Sequence, residues 1–171
     1  YLGVRRVTAD KLQGTLDEVK IYNYTLSLDE IRENYNQGKQ VVLSQEAGLP
    51  AEVTEGLVGW WKMDESSWNG TSNEVLDYSG AGNHGTRGGD ATTSATAKYG
   101  RAGTFDGGDD YVEVPDNASL DITEAITISG WVNVDVSKAV TLNQYLVDKQ
   151  NHYALFVEDD ETVSFYASNL D

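Results

Sequence analysis

The 171-residue chain has no cysteine, which excludes disulfide staples and thiolate zinc sites. Any metal it holds must be bound by oxygen, and oxygen donors favour calcium. Basic residues are also scarce, with 12 Lys and Arg against 28 Asp and Glu and a formal charge of −16. Such a balance repels both nucleic-acid phosphates and an anionic membrane surface, so neither is an expected partner. Only 2 prolines occur, too few for a Pro-rich disordered tail. No apolar run approaches the roughly 20 residues that span a bilayer, and no signal-peptide pattern opens the chain, so membrane insertion is not expected.

What is plentiful points to a globular β protein. The 39% apolar content, 10 Tyr and 4 Trp can fill a core, and 17 Gly supply many tight turns. In "TLDEVKIYN" (15–23) the alternation predicts a strand with Asp17, Val19 and Ile21 on one side and Glu18, Lys20 and Tyr22 on the other. The following "SLDEIRENYNQG" carries an S-x-x-E capping box at Ser27 and Glu30 and a Gly38 stop, which predicts a short helix. From 39 to 56 the pattern dissolves into an expected linker, with a turn near Gly48 to Pro50. Beyond it, seven short strand-like runs, from "LVGWWKM" to "TVSFYAS", are separated by Gly, Asp, Asn or Ser and predict an antiparallel sandwich. The last two read as a hairpin around Asp159 and Asp160, pairing Tyr153, Leu155 and Val157 with Val163, Phe165 and Ala167.

Four stretches, "GLVGWWKMDE", "LDYSGAGNHGT", "GRAGTFDGGDDYVEVPDNASLDITEAITISGWV" and "YLVDKQNHYALFVEDDETVSFYAS", together resemble laminin-G-like, concanavalin A-like jelly rolls of secreted proteins. The resemblance implies an all-β, two-sheet antiparallel sandwich with one short helix. It also reaches residues 1–38, which look like the closing strands and final helix of such a domain placed ahead of its opening part, 57–171. A strand that typically reads "WHHVA" and its return partner are missing between them. Either 1–38 ends one repeat of an array and 57–171 begins the next, or the order is circularly permuted. A 38-residue piece cannot bury a core alone, so "LDEVKIYN" is expected to dock into a sandwich, in this molecule or by strand exchange between copies.

Candidate sites follow from chemistry, each beside a plainer reading. Gly80-Ala-Gly82-Asn-His-Gly85 matches G-x-G-x-x-G but lacks the strand before and helix after that a dinucleotide needs, so a turn is expected. Asp17, placed among aliphatic neighbours, needs a cation or hydrogen bonds. In related jelly-roll laminarinases an aspartate similar in position binds a structural calcium with oxygens from the opening strand and a nearby loop. That resemblance implies a set at Asp17, Asp64, Asp77 and Asn83. Asp106, Asp109 and Asp110 suit a calcium site, a sugar-binding loop tip or a hairpin turn, and Asp109 and Asp110 are the ligand-binding candidates. Trp68, in the polar run "ESSWNG", is the expected exposed sugar-stacking residue, with Trp60, Trp61 and Trp131 in the core.

No run resembles the paired carboxylates of a jelly-roll glycosidase, and His84 and His152 lack a neighbouring nucleophile motif, so no catalysis is expected. The functional expectation is an extracellular, calcium-stabilised module that binds glycan or protein. A structural spacer or fibre subunit, and an accessory part of a glycoside hydrolase, are the rivals.

Overall fold

The computed structural model describes residues 1–5, 9–36, 54–135 and 143–168. In chain order the strands are β1 (Val4–Arg5), β2 (Ala9–Lys11), β3 (Gln13–Tyr22), β4 (Leu57–Trp61), β5 (Thr86–Gly88), β6 (Thr92–Ser94), β7 (Ala102–Asp106), β8 (Tyr111–Glu113), β9 (Thr127–Val134), β10 (Gln144–Lys149), β11 (Tyr153–Val157) and β12 (Val163–Ala167). One helix, α1 (Leu28–Asn36), follows β3. All strand pairings are antiparallel.

The first sheet is organised by β3. Along one edge β3 pairs with β9 from Gly14 to Tyr22. Its other edge is shared: the N-terminal half pairs with β7 and the C-terminal half with β4. β6 extends the sheet beyond β7. The second layer joins β5 and β8 to the β10–β11–β12 meander through Leu2, which bridges both Val112 of β8 and Val147 of β10. Residues from the N-terminal segment therefore enter both layers of the same molecule, and the central strand of the first sheet is one of them.

A single apolar cluster lies between the layers. Leu16, Val19, Ile21, Trp61 and Phe105 from the first sheet meet Leu2, Val112, Val147, Tyr153 and Val157 from the second. The architecture is an all-β, sandwich-like fold of antiparallel sheets with one α-helix among the described residues.

β3 departs from simple alternation. Between Asp17 and Lys20 it advances three residues while β9 goes only from Trp131 to Ser129, a β-bulge of one residue. Glu18 takes up the distortion at φ 53°, a region that non-glycine residues seldom occupy. The bulge reverses the phase of the strand, as an insertion must when side chains alternate with period two. Leu16, Val19 and Ile21 face the inter-sheet core, and Asp17, Lys20 and Tyr22 face the other way. The expected grouping of Asp17 with Val19 and Ile21 is thereby corrected: Asp17 is buried, but beneath the outer cover of the sheet.

The capping box at α1 forms as its spacing predicts. Ser27 N donates to Glu30 Oε2 at 2.7 Å, and Glu30 N approaches Ser27 Oγ at 3.4 Å. Tyr35 on this helix packs against Trp131 with ring centroids 5.2 Å apart. The β11–β12 hairpin has the expected register, Tyr153 opposite Ala167, Leu155 opposite Phe165 and Val157 opposite Val163. The expected linker falls outside the described residues up to 53, together with the turn at Gly48 to Pro50.

Candidate functional site

Asp17 lies on the covered outer face of β3, 2% exposed. Its Oδ2 accepts from the backbone amides of Lys98 at 2.9 Å and Tyr99 at 2.8 Å. Its Oδ1 is buried with no hydrogen-bond partner. Beside it on β9, its register partner Trp131 meets Tyr35 at a tilt, Tyr99 edge-on at 6.1 Å between centroids, and Lys98 Nζ at 4.2 Å from the ring. Burial pushes the carboxyl up to about 6, against the pull of the Tyr99 amide, and the nearby charges of Glu18 and Asp64 push the same way.

Asp64, just past β4, grips the other end of the same loop. Its Oδ1 accepts from Arg101 N at 2.7 Å. The loop can approach this closely because Gly100 has φ 51° and no side chain; a Cβ there would sit 2.0 Å from Asp64 Oδ1. Two carboxylates thus hold the backbone of 98–101 from either side, and one of their oxygens is buried and unsatisfied. The loop presents N–H groups to both carboxylates, and the orphaned Asp17 oxygen, within electrostatic reach of Asp64, is left to be completed by a proton or a hard cation.

Asp77 and Asn83 form a different arrangement. The Asp77 carboxylate accepts from Trp60 N at 2.9 Å and Ser79 N at 2.8 Å on Oδ1, and from Ser79 Oγ and Asn83 N, both at 2.8 Å, on Oδ2. Four donors match the four lone-pair sites of a carboxylate. Asn83 Nδ2 donates to Val58 O at 2.7 Å and Ser119 Oγ at 2.8 Å, its backbone carbonyl accepts from Trp61 Nε1, and its Oδ1 is buried with no hydrogen-bond partner. These residues staple the glycine-rich turn onto β4. In that turn Gly80 and Gly82 have positive φ and open space where a Cβ would be. His84 Nδ1 accepts from Asp77 N at 2.9 Å, so it is a turn residue. The four residues expected around one ion are therefore divided: Asp17 and Asp64 hold one loop, Asp77 and Asn83 organise another.

At the β7–β8 turn, Asp106, Asp109 and Asp110 bring carboxylate oxygens within 4.8 Å of one another. Asp110 is buried, and its two oxygens take the amides of Asp90 at 2.7 Å and Asp106 at 2.9 Å. Asp106 Oδ1 takes the amide of Gly108 at 2.6 Å. Asp110 is committed to the turn and is not presented to a ligand, whereas Asp109 is exposed.

The tryptophans redistribute. Trp68, expected at the surface, is only 4% exposed; it packs in the inter-sheet core with its Nε1 donating to Glu65 Oε2 at 3.0 Å. A polar sequence neighbourhood misleads here because Glu65, a charged neighbour, is what satisfies the indole. Trp61 is in the core as expected. Trp60 and Trp131 are instead half-buried on the outer face of the first sheet. Trp60 Nε1 donates to the bulged Glu18 at 2.6 Å, and Lys20 and Lys62 lie 4.6 and 4.4 Å from its ring.

The amides that bind Asp17 come from 81 and 82 residues away, which local sequence reading does not reach. Comparison with protein-family models, with curated proteins and with solved structures returned no match. Among the described residues no helix is long and apolar enough to cross a membrane.

Proposed function

We propose that this chain is a non-catalytic, extracellular jelly-roll module of the laminin-G-like type, stabilised by calcium, that binds glycan or protein. The single observation behind the reading is the place of Asp17. A segment that resembles a closing strand carries a buried, half-satisfied carboxylate into the middle of the sheet, beside the strand that resembles the opening one. Asp17 and Asp64 would supply carboxylate oxygens to the ion. Its chemistry would be structural: a divalent charge offsets the desolvation of Asp17 and ties β3, the chain after β4 and the loop before β7 together.

The test is thermal unfolding in calcium and in chelator. A cation that binds only the native state, present at 100 times its dissociation constant, stabilises by about 2.7 kcal/mol. For a chain of this size that raises the midpoint by roughly 5–10 °C. An unchanged midpoint removes the ion from the proposal.

A second reading, assembly by strand exchange, draws on the free sheet edges. Among the described residues β12 pairs with β11 alone and β9 with β3 alone. On the core-facing sides of these strands Val163, Phe165 and Val132 remain 64%, 51% and 39% exposed. Unpaired edges with apolar inner faces template the addition of further strands. Concentration-dependent sedimentation separates this reading from a monomeric binding module.

A further inference from the structure

The outer face of the β10–β12 meander carries a groove that no sequence motif marks. Residues directly opposite in an antiparallel ladder share a face. Asp148, Ala154 and Tyr166 therefore form one cross-strand row, and Tyr145, Phe156 and Ser164 the next. Ala154, the small residue at the middle, leaves a depression between larger neighbours, with a volume of about 230 Å³. Its walls are aromatic: Tyr145 and Phe156 stack at 4.6 Å and 14°, and Tyr166 stands 53% exposed at the open side. Polar residues complete the lining: Asp148, only 7% exposed and opposite Ala154 in the ladder, and the exposed Gln150 and Asn151 of the β10–β11 turn.

From this face we infer that the groove is a binding site for a neutral pyranose, one ring of an uncharged glycan, with Tyr166 as the stacking platform. The inference rests on the binding-module reading above and gives it a site and a ligand class. A pyranose has an apolar face of C–H bonds and an equator of hydroxyls. The first matches an aromatic wall, and the second matches the acidic and amide residues Asp148, Gln150 and Asn151, whose groups accept and donate. Size limits the ligand as well, since drug-sized pockets run from about 300 to 1,000 Å³ and this groove is smaller. Charge excludes acidic sugars. Asp148 lines the site, the chain carries −16, and the cations at hand are engaged: Lys149 by Asp116 and by Asp121 at 3.0 Å, and the Tyr1 ammonium by Asp148 O at 2.8 Å.

The experiment is calorimetric titration of the full chain with cello-, xylo-, manno- and laminarihexaose, with amide shifts of residues 144–167 followed in parallel. At least one of these neutral oligosaccharides is expected to bind and to shift amides lining the groove. Tyr166→Ala, an exposed change on an outer strand, is expected to weaken that binding by about tenfold or more without lowering the unfolding midpoint. Asp148→Asn, isosteric, is expected to weaken it as well. Binding that survives Tyr166→Ala, or that shifts amides elsewhere, overturns this site and leaves the binding-module reading standing. Capture of a protein ligand with none of the four sugars bound overturns the glycan inference and again leaves that reading. Loss of the calcium response bears only on the ion.

Discussion

Two buried aspartates, Asp77 and Asp17, receive opposite treatment from the fold. Both are less than 10% exposed, at 7% and 2%. Asp77 accepts four hydrogen bonds and thereby shapes a glycine-rich turn. Asp17 accepts two, both on one oxygen, and the other oxygen is left with none. Burial alone says little about a carboxylate's role; what matters is whether every lone pair has a donor. A filled carboxylate is a structural staple, whereas a half-filled one costs stability until a proton or a cation completes it.

Breaking the filled member has the largest expected effect. Asp77→Ala strands the Trp60, Ser79 and Asn83 donors in a covered site, with an expected loss of about 4 kcal/mol in urea unfolding. A loss below about 1 kcal/mol contradicts the staple role.

The half-filled member is sharpened by pH. Asp17 has its native carboxyl raised to about 6 from an ordinary value of 3.8, chiefly by burial. The native state therefore binds a proton more tightly than the unfolded chain. The stabilisation is complete below about pH 4 and is lost as pH rises through about 6. In chelator, Asp17→Asn removes this dependence, and relative to wild type it gains roughly 2 kcal/mol between pH 4 and 7. The same substitution is expected to abolish the proposed rise in midpoint with calcium. Parallel pH profiles for the two proteins show that Asp17 is not the titrating group.

The smallest effect belongs to the periphery of the Asp77 turn. Ser119→Ala removes an acceptor 2.8 Å from Asn83 Nδ2, which keeps its bond to Val58 O. A loss of about 1 kcal/mol is expected, well short of that for Asp77→Ala.

Local patterns made much of the fold legible. The strand runs after residue 57, the hairpin register of Tyr153 to Ala167 and the Ser27–Glu30 cap are short-range features, and each has a local physical cause. The site was less legible. Burial of Asp17 follows from its aliphatic neighbours, but the direction in which it points depends on the bulge at Glu18. That bulge becomes visible only when β9 pairs against β3. Trp68 sits among polar residues in the chain and among apolar ones in space. The groove at Ala154 needs three strands side by side, although the hairpin pattern already places Ala154, Phe156 and Tyr166 opposite the core face.

Composition and spacing alone determined the class of the protein: a chain of short alternating runs separated by turn residues builds antiparallel sheets, and without cysteine it has no thiolate to offer a metal. Folding in three dimensions decided which acidic group is left incomplete, because the donors that satisfy a buried carboxylate come from whichever loop packs over it. Periodicity fixes which side chains alternate; only the pairing of β3 with its neighbours fixes which face each one reaches.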